Sequence, residues 1–109
     1  MGKTLTFEYK GKTYTLEYTR RTIAMMEQNG FVPAEMTDKP MSTILPLFEG
    51  AFLAHHRKTK KGVIDEIYDH MTNKEELLSK LSEMYTEPLE ALMADPEDDE
   101  GNVNWTANW

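Results

Sequence analysis

The sequence contains no cysteine, and this absence removes several classes of function at once. Without thiols the chain forms no disulfide, carries no cysteine nucleophile and builds no cysteine-based zinc site. No apolar run approaches the ~20 residues of a membrane span. The first ten residues, MGKTLTFEYK, also lack the continuous apolar core of a secretion signal. We therefore expect a single cytoplasmic domain within the 109 residues, with no membrane partner.

The residues that usually carry catalysis or hold a ligand are missing as well. There is no glycine-rich phosphate loop and no Gly-x-Ser-x-Gly elbow. The three histidines, His55, His56 and His70, include no pair at the i, i+4 spacing of a helical metal chelate. Paired carboxylates fall beside lysines on predicted helix faces, which is typical of a solvated surface. The sequence predicts no catalytic residue, no cofactor and no metal, and hence a protein that is not an enzyme.

The negative charge is concentrated at one end of the chain. Of the net charge of −7, five negatives come from residues 95–100, so the remainder carries about −2 (−7 + 5). A nearly neutral body with an acidic end argues against a nucleic-acid partner, which would need a net basic face. The exception is HHRKTKK at residues 55–61, here called the basic loop. We interpret it as a solvated loop at a helix C-terminus, with phosphate binding as the alternative.

Residues 4–18 predict a β-hairpin. Apolar and polar residues alternate on both sides of Lys10-Gly11, which has the composition of a tight turn. A two-residue loop would place Phe7 opposite Tyr14 and Leu5 opposite Leu16 on one face. An isolated hairpin is marginal in water, so this face must pack on something else.

Helical periodicity predicts about four helices, over residues 19–29, 43–57, 63–71 and 73–93. Thr19 can cap the first helix, Ser42 or Thr43 can cap the second, and Pro46 would fall near the first turn of the second. The second is apolar nearly all round, which favours a place in the core over an oligomer interface. In the last helix one apolar stripe runs from Leu78 to Leu92, and Pro88 should kink or restart the helix. The predicted fold class is α+β: residues 1–94 form a hairpin packed on a small helical bundle, and residues 95–109 form an acidic linker with a tryptophan-containing end.

That end, NVNWTANW, has a strand pattern, because Val103, Trp105 and Trp109 fall at alternating positions among polar residues. Three alternatives follow. The segment docks on its own hairpin as a third strand, pairs with a neighbouring copy or another partner, or stays disordered behind its self-repelling acidic connector. The first two would make it a possible extra strand of the fold.

The eight methionines fill irregular cores or form adaptable binding surfaces. Several lie at the ends of predicted elements, which gives the second interpretation some weight. Met25 and Met93 therefore join Val103, Trp105 and Trp109 as candidate partner-binding residues.

Taken as a unit, the sequence resembles a known family. The stretches FEYKGKTYTLEYTRRTIAMMEQNGF, KPMSTILPLFEGAFLAHHRK, IDEIYDHMTNKEELLSKLSEMYTEPLEALM and EGNVNWTANW together span essentially the full chain. They are similar to short phage and prophage proteins of Gram-positive bacteria that are grouped with the tail assembly chaperones of long-tailed phages. The similarity is overall rather than a catalytic motif, so it carries no site residues.

The resemblance implies a non-enzymatic chaperone that binds the tape-measure protein and helps recruit tail-tube subunits during tail morphogenesis. Such a virion assembly factor would self-associate into an oligomer, act in the cytoplasm of the bacterial host and be absent from the mature virion. Many such proteins are made in short and long versions by translational frameshifting. The alternative is a small phage-encoded inhibitor or regulator that binds a host protein, although a nucleic-acid mimic should spread its carboxylates over a folded face.

Overall fold

The computed structural model describes residues 3–95 and 103–109 and consists of an N-terminal hairpin followed by four α-helices. The predicted α+β class is therefore confirmed. The elements are β1 (Thr4–Tyr9), β2 (Lys12–Glu17), α1 (Arg20–Gln28), a 3₁₀ turn (Pro33–Met36), α2 (Pro40–Gly50), α3 (Lys61–His70) and α4 (Lys74–Met93).

The hairpin has the register that the sequence predicts. Leu5 pairs with Leu16 and Phe7 pairs with Tyr14, whose rings stack at 5.4 Å between centroids. The turn places two successive residues at positive φ, 51° at Lys10 and 79° at Gly11, as a type I′ turn requires. The two strands differ in burial, because the apolar residues of β2 are buried whereas those of β1 are only half-buried. β2 is therefore the strand that faces the core.

The outer edge of β2 is covered by the chain that follows α2. The Glu17 N–H donates to the Ala51 carbonyl at 3.0 Å, and the Thr15 N–H donates to His56 Nε2 at 2.9 Å. The predicted second helix therefore ends at Gly50 and not at residue 57. Residues 51–55 form turns instead, and the Ala51 carbonyl accepts a donor of the sheet edge rather than a donor of the helical ladder.

The same helix also begins earlier than predicted, at Pro40 rather than residue 43. Proline is favourable at the first helical position, because its missing N–H would be unpaired there in any case. Ser42 and Thr43, the two alternative caps, both lie inside the helix, where the Thr43 hydroxyl donates to the Lys39 carbonyl at 2.7 Å. Pro46 consequently sits in the helix interior and not in the first turn.

The remaining helices differ from their predicted bounds by one or two residues. Thr19 caps α1 as predicted, since its hydroxyl oxygen accepts the Thr22 N–H at 3.1 Å. α4 is continuous through Pro88, so the predicted restart at that residue is wrong. A proline removes only one hydrogen bond from the ladder, and the helix continues with the Ala94 N–H bonded to the Glu90 carbonyl at 2.9 Å.

The core lies between β2 and the helices, with α2 at its centre, as its all-round apolar sequence predicts. Phe48 and Phe52 are buried and meet edge to face, with ring centroids 5.2 Å apart. The six largest fully buried side chains come from β2, α2 and the turn after it, α3 and α4: Leu16, Leu47, Phe48, Phe52, Ile67 and Leu81. Tyr18 adds a buried polar contact, because its hydroxyl donates to the Leu47 carbonyl at 2.6 Å.

Residues 103–109 have no regular structure and are exposed. Val103 and Trp105 are 89% and 81% exposed, and Trp109 is fully exposed. Within the described residues the sheet has two strands, so the prediction of a third strand on the chain's own hairpin is wrong. Pairing with a neighbouring copy or another partner stays a prediction.

Candidate partner-binding surface

An apolar groove runs between α1 and the last part of α4, with a volume of about 230 Å³. We call it the α1–α4 groove. Ile23 and Ala24 come from α1, whereas Leu89 and Leu92 come from α4. Ile23 is buried, but Leu89 is 39% and Leu92 is 57% exposed. The groove is lined by Arg20, Ile23, Ala24, Glu27, Pro88, Leu89 and Leu92.

The groove exists because the apolar stripe of α4 extends beyond the core. The buried residues of the helix, Leu77, Leu81, Met84 and Tyr85, all lie in its first part. The stripe then continues at helical spacing, but the described part of the chain offers no element to cover it. Apolar surface of this kind costs roughly 25 cal/mol for each Å² left in water, and a partner would remove that cost.

Two charges lie at the rim of the groove. Arg20 and Glu27 are seven residues apart on α1, which places them two turns apart on one face of the helix. Ile23 and Ala24 lie between them. An apolar strip with a cation at one end and an anion at the other suits an amphipathic helix and can fix its direction.

The structure separates the residues that the sequence suggests for partner binding. Met93 is 82% exposed and extends the apolar end of α4 beyond Leu92. Met25 is half-buried and lies outside the groove, where the Arg57 guanidinium approaches its sulfur at 4.0 Å. Sequence patterns do not indicate the groove residues of α1, and they place Leu89 and Leu92 on the apolar stripe of α4. The only signal was the length of that stripe, which continues past Pro88.

The three histidines each have a separate partner. His55 Nε2 lies 2.7 Å from Glu17 Oε1, His56 Nε2 accepts the Thr15 N–H, and His70 Nδ1 lies 2.9 Å from the Glu66 carbonyl. Burial lowers the pKa of His56, as do the neighbouring charges of Lys12 and His55. Within residues 3–95 and 103–109, no three histidine or carboxylate side chains are placed to hold a metal ion.

One pair of half-buried carboxyl groups lies between α2 and α3. Glu49 Oε2 and Asp65 Oδ1 are both inaccessible to solvent, and neither has a hydrogen-bond donor among the described residues. Burial raises the pKa of Glu49 to about 7, and the neighbouring carboxyl group of Asp65 acts in the same direction, whereas Lys61 opposes them. A proton on Glu49 near neutral pH would supply the hydrogen-bond donor that both oxygens lack.

None of the helices in the described part of the chain is both long and apolar enough to cross a bilayer.

Comparison with known proteins gives a family but no function. The family model described as "Domain of unknown function (DUF5055)" matches residues 1–109. No curated protein and no solved structure matches the chain. Because the match spans the whole sequence, this protein belongs to the DUF5055 family, a domain family of unknown function.

Proposed function

We propose that this protein is a non-enzymatic phage tail assembly chaperone that binds the tape-measure protein and helps recruit tail-tube subunits during tail morphogenesis. It would act in the cytoplasm of the bacterial host and be absent from the mature virion. The sequence resemblance supports the proposal. The structural observation that carries it is the exposed apolar end of α4 beside α1, with Leu89, Leu92 and Met93 uncovered.

The chemistry of the groove suits a tape-measure protein, a long helical chain with an apolar stripe. A helix binds a groove through anchors at i, i+3 and i+4, and the exposed leucines of α4 have the matching spacing. A groove of about 230 Å³ holds only one or two side chains, so a single contact would be weak. Many copies on one long helix would bind effectively through multivalency, which also favours self-association.

The groove itself supports only the contact with the tape-measure protein. Recruitment of tail-tube subunits rests on the resemblance and would use surfaces that the bound chaperone leaves exposed. The proposal involves no nucleic acid and no membrane.

The test is co-expression of the full-length chain with overlapping segments of the tape-measure protein of the same phage or prophage. The molar mass of the purified complexes is measured by size-exclusion chromatography with light scattering. We expect several copies of this chain on each long segment. Replacing the two groove leucines, Leu89→Glu with Leu92→Glu, should abolish recovery of the complex.

The chain offers a matched control in Ser79→Glu with Ser82→Glu. These exposed positions lie on the same helix, have the same spacing and gain the same charge. Loss of binding in both variants, or in neither, would contradict the assignment of the groove. Tape-measure segments that are expressed well but recruit no copy would contradict the chaperone function itself. Stoichiometric, salt-sensitive binding to a host DNA-binding protein would then favour the alternative of an inhibitor or regulator.

A further inference from the structure

A second surface, distinct from the groove, is strongly basic. A cleft of about 560 Å³ opens between β2 and the segment that joins α2 to α3, and we call it the basic cleft. Four cationic side chains from β2 and the basic loop line it, together with two apolar ones: Lys12, Arg57, Lys58, Lys60, Tyr14 and Val63. Tyr14 is buried, whereas Val63 is 40% exposed.

The four cations are not neutralised within the described residues. The ion pairs there involve Lys10, Lys39, His55 and Lys80, and none of the cations of the cleft. No carboxylate is among the described residues that line the cleft, although His55, which also lines it, is paired with Glu17. His56 accepts a backbone N–H through Nε2, which fixes a neutral imidazole and adds no charge. Four like charges around one concave surface repel each other, and an anionic partner would relieve that repulsion.

The sequence itself contains an anionic segment with an apolar end. Residues 95–100 carry five of the 19 carboxylates of the chain, against 12 cations in total. Val103, Trp105 and Trp109 follow directly and are exposed. An acidic stretch followed by aromatic rings complements a cationic cleft that is also lined by Val63 and Tyr14.

We propose that the basic cleft binds the C-terminal segment, residues 95–109, of a second copy of this chain. Carboxylates of the acidic stretch pair with Lys12, Arg57, Lys58 and Lys60, and a tryptophan ring covers Val63.

The occupant is a second copy because the single chain leaves its own tryptophans in solvent. Each copy offers one segment and one cleft, so two copies can exchange segments in a two-fold dimer, and more copies can bind head-to-tail in rings or open chains. The cleft and the α1–α4 groove share no residue, so this inference does not depend on the proposed function.

The test uses two oppositely charged variants of the full-length protein. One reverses the cleft, Lys58→Glu with Lys60→Glu, and the other reverses the segment, Asp98→Lys with Asp99→Lys. Trp105 and Trp109 are the only tryptophans, so their emission reports directly on the segment. Mass is measured in parallel by sedimentation equilibrium, and far-UV circular dichroism checks that each variant is folded.

The wild type should show blue-shifted emission that is lost on dilution and weakened by salt. Each variant alone should self-associate at least about tenfold more weakly, since two reversed ion pairs cost roughly 1.4 kcal/mol or more. Mixing the two variants should restore both the blue shift and the larger mass, because each then meets an oppositely charged partner. Arg21→Glu with Lys39→Glu, which makes the same change in net charge outside the cleft, should behave as the wild type.

Several results would overturn the inference. One is red-shifted emission at every concentration of the wild type. Another is a blue shift that survives in both reversed variants. A variant carrying all four substitutions that is blue-shifted at every dilution would show that the segment docks within its own chain. Retention of duplex DNA that Lys58→Glu with Lys60→Glu abolishes, while the tryptophans stay in solvent, would assign the cleft to nucleic acid.

Discussion

The first part of α4, residues 74–85, and its last part, residues 86–93, carry one apolar stripe but have different surroundings. Leu81 in the first part is fully buried, whereas Leu92 in the last part is 57% exposed. Both belong to the same helix and have the same chemistry. The comparison teaches that periodicity identifies the apolar face of a helix but does not say what covers it. The first part stabilises the body, and the last part is available for a partner.

The largest expected effect is the loss of stability when a leucine in the first part of α4 is replaced by alanine. Leu81→Ala should reduce the free energy of unfolding by about 3 kcal/mol, because it removes buried methyl groups and leaves a cavity. Leu92→Ala, the same substitution on the exposed part, should cost less than about 1 kcal/mol. Urea denaturation of both variants measures the difference. Equal losses would mean that the end of α4 is packed in solution.

The second expected effect concerns the packing of α1 on α2. At Gly50 a Cβ atom would overlap the side chain of Met26, which is buried on α1. Gly50→Ala should therefore destabilise the protein by about 2 kcal/mol, within the range expected for overpacking. At Gly62, in α3, a Cβ would meet nothing within 4 Å, so Gly62→Ala is the matched control.

In Gly62→Ala the helix propensity rises, so the free energy of unfolding should be unchanged or slightly higher. Thermal unfolding of both glycine variants provides the measurement. An unchanged melting temperature for Gly50→Ala would show that Met26 moves aside freely and that the body is less tightly packed there than the structure indicates.

The third prediction concerns how the free energy of unfolding depends on pH. The pKa of Glu49 is raised from 4.5 to about 7 in the folded state, so folding favours its protonated form. The resulting stability is fully present below about pH 4.5 and is lost as pH rises through about 7. Solvent screens this partly exposed carboxyl, so the loss should be on the order of 1 kcal/mol. Glu49→Gln should abolish this component of the pH dependence.

Urea titrations at about pH 5 and pH 8 measure the effect, with Glu75→Gln on the exposed surface of α4 as the control. If the two parts of α4 are independent, the same change of pH should leave the exposure of residues 86–93 unaltered. An equal pH dependence in wild type and Glu49→Gln would contradict the assigned proton.

The smallest expected effect is on the stability of the groove variant. Leu89→Glu with Leu92→Glu should change the free energy of unfolding by no more than about 0.5 kcal/mol for each residue, since both side chains already contact water. The same variant should lose the tape-measure segment. A large loss of stability would show that the last part of α4 belongs to the core. The loss of binding would then result from unfolding and not from the loss of a contact in the groove.

The hairpin can be predicted from the sequence because the composition of its turn and the alternation of apolar and polar residues indicate the same structure. Lys10-Gly11 fixes the loop length, and the register of Phe7 with Tyr14 follows from it. Thr19 is likewise a local signal, and it caps α1 as predicted. These features depend on neighbours in the chain, so local chemistry suffices to identify them.

The bounds of α2 and the groove depend on distant contacts and could not be predicted in the same way. α2 ends at Gly50 because the Ala51 carbonyl and the His56 ring bind the edge of β2, more than 30 residues away in the sequence. The groove arises because no described element packs on Leu92. Neither fact leaves a pattern in the local sequence, and the period of the stripe is the same on both sides of Pro88.

Hydrogen–deuterium exchange of the full-length protein, free and bound to a tape-measure segment, tests whether the last part of α4 is the surface that binds a partner. In the free protein, amides of residues 74–85 should exchange slowly and those of residues 86–93 faster, since only the first part is packed in the body. Binding should protect residues 86–93 and 20–27 and leave residues 74–85 unchanged. Protection confined to other parts of the body, with residues 86–93 as fast as in the free protein, would contradict the account.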